Sequence, residues 1–190
     1  MIDASVAGRV RLIGLDVDGV LTDGAVYVGM APGGPIEVKR FDIQDGIGIR
    51  LLRAAGLRVV LVSGRVSEAT IIRAEDIGVD EVIQDDMARK LSAFAELLER
   101  FEVRMEEAAF VGDDLPDIPL LRRVVLPVAV ENAVAEVKAL ARYITTAPGG
   151  HGAVREFAEQ LLRARGQWDG LVQQYLVERG EPTERAGRAE

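Results

Sequence analysis

"LIGLDVDGVLTDG", residues 12–24, decides how this chain is read. Four apolar-to-small residues, Leu12 to Leu15, run straight into Asp16 and Asp18. Aspartate is a poor strand former and costs free energy when it leaves water unpaired. Two of them closing a core strand therefore need a partner at that strand's end. Gly19 follows, then an apolar pair, Thr22, Asp23 and Gly24.

Outward from this stretch the pattern alternates. Short, nearly continuous apolar runs lie at 10–15, 57–63, 80–84, 108–112, 124–130 and 143–146. Runs of this length suit strands buried on both faces, as in a parallel sheet. Between them lie helical patterns: Leu91, Phe94, Leu98 and Phe101 within 87–101, and Val134, Val137 and Leu140 behind a capping Asn132. A helix over 45–56 starts at Asp45 as cap and stops at Gly56. A last one runs over 152–178, weakened at Gly166 and Gly170. The expectation is an α/β fold, a doubly wound Rossmann-like parallel sheet. One domain is expected over 10–178, after a short extension at 1–9. The polar residues 179–190 read as a disordered tail.

One segment breaks the alternation. "AVYVGMAPGGPIEVKRF" (25–41) reads as a β-hairpin turning at "APGGP", inserted after the first strand. Its Val26, Val28, Ile36 and Val38 are expected to line one face. A lone hairpin is marginal in water, so it must pack on its own domain or on another copy of the chain.

Composition excludes several functions. A net charge of -8 argues against a nucleic acid or an anionic membrane as the main partner. With no cysteine and one histidine, His151, thiol catalysis and Cys- or His-rich metal sites are ruled out. No stretch is apolar for long enough to span a membrane, and the first residues lack a signal-peptide core. The expected location is the cytoplasm.

In open parallel sheets ligands bind at the carboxyl ends of the strands. There stand Asp16 and Asp18, then Ser63, Gly64 and Arg65, then Asp113 and Asp114 with Asp117 close behind. Lys90 opens the helix after the third strand. Clustered carboxylates repel unless a cation sits among them. All-oxygen ligands select a hard ion, and few carboxylates with room for water and phosphate point to Mg2+. Magnesium, a lysine and a hydroxyl are what a transferring phosphoryl group requires. Asp16 is placed to be the nucleophile and Asp18 to move protons.

"DVDGVLTDG", "SGR", Lys90 and "GDDLPD" resemble, in order, the four motifs of the haloacid dehalogenase superfamily. Within it, "DVDGVLTDG", "FDIQDGIGIRLL" and "GGHGAVREF" resemble the 3-deoxy-D-manno-octulosonate 8-phosphate phosphatases and the related module of sialic-acid activation. The resemblance covers about residues 10–165. It implies Asp16 as nucleophile, Asp18 as general acid/base, and magnesium on the Asp16 carboxylate, the Asp18 carbonyl and the Asp113 carboxylate. Ser63 and Lys90 would bind phosphate, with Asp114, Asp117 and Gly64 in support and Asp117 orienting Lys90. It also implies a homotetramer without a cap domain, packed through the hairpins. The spacing of the runs independently leaves no room for a cap.

The resembling families commonly carry Arg at the place of His151 and a basic residue at that of Gln44. That leaves Arg65 and Arg155 as candidates for the carboxylate of an acidic sugar. Bland readings stand beside these: Asp114 as a helix cap, Arg65 as a surface residue, His151 as a cap. Three function classes follow. The first is a phosphatase for an eight- or nine-carbon acidic keto-sugar phosphate. The second is a non-catalytic oligomerisation module, against which the intact Asp16, Asp18, Lys90 and Asp113 argue. The third is a phospho-receiver, which would not need Asp18.

Overall fold

Each apolar run becomes a strand in the computed structural model, which describes residues 1–87 and 89–182. The strands are β1 (Leu12–Leu15), β2 (Tyr27–Ala31), β3 (Gly34–Val38), β4 (Arg58–Ser63), β5 (Glu81–Gln84), β6 (Ala108–Gly112), β7 (Leu126–Ala129) and β8 (Tyr143–Ile144). The helices are α1 (Ala4–Arg9), α2 (Ile43–Ala54), α3 (Glu68–Ile77), α4 (Lys90–Arg100), α5 (Ile118–Leu121), α6 (Ala135–Lys138), α7 (Ala153–Ala164) and α8 (Trp168–Val177). No described helix is long and apolar enough to cross a membrane.

Six strands form one sheet in the order β5-β4-β1-β6-β7-β8, and every neighbouring pair is parallel. β1, β4 and β6 have every residue but Arg58 buried, which is why their sequences are continuous rather than alternating. Helices α2, α3, α7 and α8 pack together on one side, and α4, α5 and α6 on the other. Gly14 lets the second layer close. A Cβ there would lie 2.6 Å from a Phe110 ring carbon, and Phe110 meets Phe94 of α4 edge to face, centroids 5.7 Å apart. Burying each phenyl ring contributes roughly 1.5–3 kcal/mol.

Three helix readings are corrected. Asp42, not Asp45, caps α2, accepting from the Gln44 N–H at 2.8 Å. Asp45 lies buried in the first turn and accepts from the Arg155 N–H at 2.8 Å, so it caps α7 across the fold. Asn132 caps nothing, because α6 begins later, with Val134 at its N-cap. The long final helix is two: Gly166, at φ +68°, breaks it between α7 and α8.

The hairpin is β2 and β3, paired antiparallel from Tyr27–Val38 to Ala31–Gly34. Its apolar residues do not share a face. The register puts Ile36 and Val38 on the side of Tyr27, and Val28 on the side of Glu37 and Met30. Both sides are exposed; Val28 keeps 74% and Met30 79% of its surface open. No cap domain occurs among the described residues. The extension at 1–9 holds α1, with Asp3 as cap and Ala7 buried against the core. Of the expected tail, residues 183–190 lie outside the described residues.

Candidate active site

The chain changes direction between β1's two neighbours, β4 and β6. A crevice opens at such a switch point, on the carboxyl side of the sheet. Asp16, Asp18, Gly64, Arg65, Lys90, Asp113 and Asp114 line a cleft of about 310 Å³ there. Ser63 is buried beside it: its Oγ lies 3.5 Å from Asp18 Oδ2 and donates to the Arg65 carbonyl at 3.0 Å.

Lys90 organises the floor. Its Nζ is 2.7 Å from Asp16 Oδ1 and donates to Asp117 Oδ1 at 2.8 Å. Burial alone would lower the Lys90 pKa, but the two carboxylates outweigh it and raise it. The other Asp117 oxygen accepts from the Asp113 N–H at 3.0 Å and the Asp114 N–H at 3.4 Å. Asp117 is thus fully engaged with protein donors. Asp113 is not: its buried Oδ1 has no hydrogen-bond partner.

The acids are held in tension. Burial, then the Asp117 charge, push Asp16 well above the usual carboxylate range, against the pull of Lys90. Burial and Asp117 likewise push Asp113 up to about 6. Carboxylate oxygens of Asp16, Asp113 and Asp117 lie within 4.8 Å of one another. A cation among them would relieve both burial and repulsion. The orphaned Asp113 oxygen and the all-oxygen donor set fit a hard divalent ion, with Asp117 the member already spent on Lys90.

The loop after β1 is locked from several sides. Thr22 Oγ1 accepts from the Gly19 and Gly24 N–H groups at 3.3 and 3.2 Å. Gly19 has φ +96°, and a Cβ there would sit 2.0 Å from Asp113 Oδ2. Its carbonyl accepts from Asn132 Nδ2 at 3.0 Å, while Asn132 Oδ1 accepts from the Gly149 N–H at 2.6 Å. Gly149 packs so closely that a Cβ would lie 1.8 Å from the Gly19 oxygen.

Two expectations about arginine change. Arg155 does not reach the cleft; its guanidinium stacks 5.0 Å over the Trp168 ring, where α7 meets α8. Arg65 does line the cleft, but it is tied to Glu37 Oε2 at 2.7 Å. Asp114 both lines the cleft and accepts from the Leu115 N–H at 2.8 Å, so its two readings coexist. Asn132 and Lys39 were missed as site residues. Lys39 is buried, with Nζ 2.7 Å from Asp18 Oδ1. Its signal was present in the sequence: Glu37 and Lys39, two apart, are charges at one parity of an otherwise apolar hairpin.

Comparison with known proteins places this geometry. Residues 69–157 match the haloacid dehalogenase-like hydrolase family. The chain is 40% identical over 163 residues to the 3-deoxy-D-manno-octulosonate 8-phosphate phosphatase of Escherichia coli K12, covering 86% of this chain and 85% of that one. The chain belongs to this phosphatase family. A crystal structure of the 3-deoxy-D-manno-octulosonate 8-phosphate phosphatase of Moraxella catarrhalis, in complex with a magnesium ion, a phosphate ion and a KDO molecule, superposes with a TM-score of 0.84 at 33% identity, covering 90% of this chain and 97% of that one. The cobalt-bound phosphatase of Haemophilus influenzae gives 0.82 at 31% identity, over 90% and 99%. These two solved structures share the fold, and both hold a divalent metal.

Proposed function

We propose that the chain is a magnesium-dependent phosphatase that hydrolyses 3-deoxy-D-manno-octulosonate 8-phosphate through an aspartyl-phosphate on Asp16. The observation that carries this is the Asp16–Lys90–Asp117 ion-pair chain beside the orphaned Asp113 oxygen. It supplies a nucleophile, a fixed positive charge and a vacant acceptor in one cleft. Family membership supports the reaction class, and the substrate for which the relatives are named supports the sugar.

Asp16 Oδ1 is held by Lys90 and by the Val17 N–H at 2.7 Å, which leaves Oδ2 to attack phosphorus. The P–O bond to the sugar breaks as the Asp16–phosphorus bond forms, and the leaving oxygen takes a proton from Asp18. Asp18 then takes a proton from water, which hydrolyses the acyl phosphate and restores both acids. Lys90 and Ser63 hold the phosphoryl oxygens in line. Magnesium, held by Asp16, the Asp18 carbonyl and Asp113, would neutralise charge on the phosphoryl group. The hairpin, apolar on both exposed sides, is the proposed contact of a homotetramer, whose neighbours would close an otherwise open cleft.

Phosphate release from this substrate with magnesium tests the proposal. Wild type should turn over and Asp16→Asn should not; equal, slow release by both overturns it. A panel of eight- and nine-carbon keto-sugar phosphates fixes the sugar, because His151 and Gln44 replace basic residues expected near it. A nine-carbon phosphate turned over faster than the eight-carbon one would reassign the substrate.

A further inference from the structure

The hairpin is anchored to the body by two charged residues of one face. Glu37 Oε1 accepts from Ser67 Oγ at 2.7 Å, and Glu37 Oε2 from Arg65 at 2.7 Å. Lys39 follows β3 directly, and its side chain is fully buried. A buried ammonium must be paired or its burial is costly. Its partners are Asp18 Oδ1 at 2.7 Å, Thr70 Oγ1 at 3.4 Å and Glu37 Oε1 at 3.7 Å. Asp18 itself stands at the cleft, its side chain 21% open to solvent. Apart from the long contact with Ser63 Oγ, its carboxylate has no other side-chain donor among the described residues. Nothing but Lys39 therefore fixes its rotation at short range.

We infer that Lys39 is the positioning residue for Asp18: the base of the hairpin holds the proton-transferring carboxylate in its working orientation. This rests on the phosphatase reading above and deepens it. Lys39 Nζ binds Asp18 Oδ1, Oδ2 lies 3.5 Å from Ser63 Oγ, and the residue lines the cleft. Without that bond a free aspartate at the mouth would sample several rotamers, of which few point at the leaving oxygen or the attacking water. The hairpin then has a second task besides any contact with another chain. It completes the site from the side where a cap domain is lacking.

A double-mutant cycle on phosphate release tests the inference. Because proton transfer by a placed side chain contributes about 10²–10⁴-fold, Lys39→Met should lower kcat roughly 30- to 100-fold with KM changed less than about threefold. In an Asp18→Asn background the same change should cost less than about threefold, since the group it serves is gone. Losses that multiply would show Lys39 acting on its own, and the inference fails. A loss carried by KM alone sinks it too, because that marks substrate binding. Should Lys39→Met not fold, as judged by its melting curve, Lys39→Gln keeps a neutral donor at the same place and gives the same non-additive pattern, smaller in size. Release that does not depend on Asp16 would overturn the phosphatase reading itself; Asp16-dependent release with multiplying losses overturns only the role of Lys39.

Discussion

Asp113 and Asp80 stand at opposite ends of the same parallel sheet, and their surroundings are opposite too. Asp80, where β4 and β5 begin, has every need met. It accepts from Arg58 at 2.8 Å, Arg53 at 3.2 Å and the Val59 N–H at 2.9 Å. Burial would raise its pKa, but these donors win and lower it. Asp113, at the carboxyl end, has a buried oxygen with no donor and a pKa pushed up to about 6. The larger depression, about 620 Å³, lies at the Asp80 end among Arg50, Arg53 and Arg58. Size therefore misleads here. Helices α2 and α3 end beside that depression, and its Arg53 and Arg58 are spent on Asp80. Asp80 stabilises the fold, whereas Asp113 keeps an open oxygen in a cleft lined by other acids.

The contrast can be broken by exchanging the outcomes. Asp113→Asn should cost at least about 100-fold in activity, since even partners of metal ligands cost about 10–100-fold, and it should weaken magnesium binding in a titration. The melting temperature should hold or rise, because a strained carboxylate has been removed. If Asp113→Asn instead only destabilises, the two ends do not differ in kind.

Asp45 sharpens the comparison, because it is a buried acid used for structure yet still left strained. Its pKa is raised to about 6, chiefly by burial, against an unfolded value of 3.8. The folded state therefore holds the proton more tightly than the unfolded one between those values. Stability should be highest below about pH 4 with respect to this group and fall as pH rises to about 6, by roughly 2–3 kcal/mol in all. Asp45→Asn keeps an acceptor for the Arg155 N–H and should flatten that dependence. Denaturant melts of both proteins at pH 4.5 and 7.5 check it; identical slopes would refute it.

The smallest effect belongs to Asp80→Ala. Its arginine partners are half exposed, so solvent screens much of the interaction. Removing it should cost about 1–2 kcal/mol in a urea melt, mostly through the unpaired Val59 N–H and the lost charged hydrogen bonds, with kcat within about twofold. A large fall in kcat would move the active region to the wrong end.

The sequence was legible where one residue carried one meaning. The four central strands stood out because strands buried on both faces are written as unbroken apolar runs, while the edge strands β5 and β8 are only partly buried. Asp16, Ser63 and Asp113 could be brought together because each closes or directly follows such a run. What failed needed tertiary knowledge. Asp45 and Arg155 are far apart in the chain, so one capping the other's helix leaves no local trace. Asn132 looks like a helix cap by its neighbours alone, and only the fold turns it toward Gly19. The hairpin's apolar residues were seen, but the turn sets the register, and the register divides them between two faces.

The clasp of Gly19, Asn132 and Gly149 has a consequence for how the protein is made. Every group given a part in the proposed reaction lies within the first 117 residues. The loop beside Asp16, however, is pinned by an asparagine and a glycine that come later in the chain. A chain shorter than about 150 residues lacks part of this clasp. The order of synthesis thus sets the order in which this loop can close, because Asn132 and Gly149 must both exist before Gly19 is clasped.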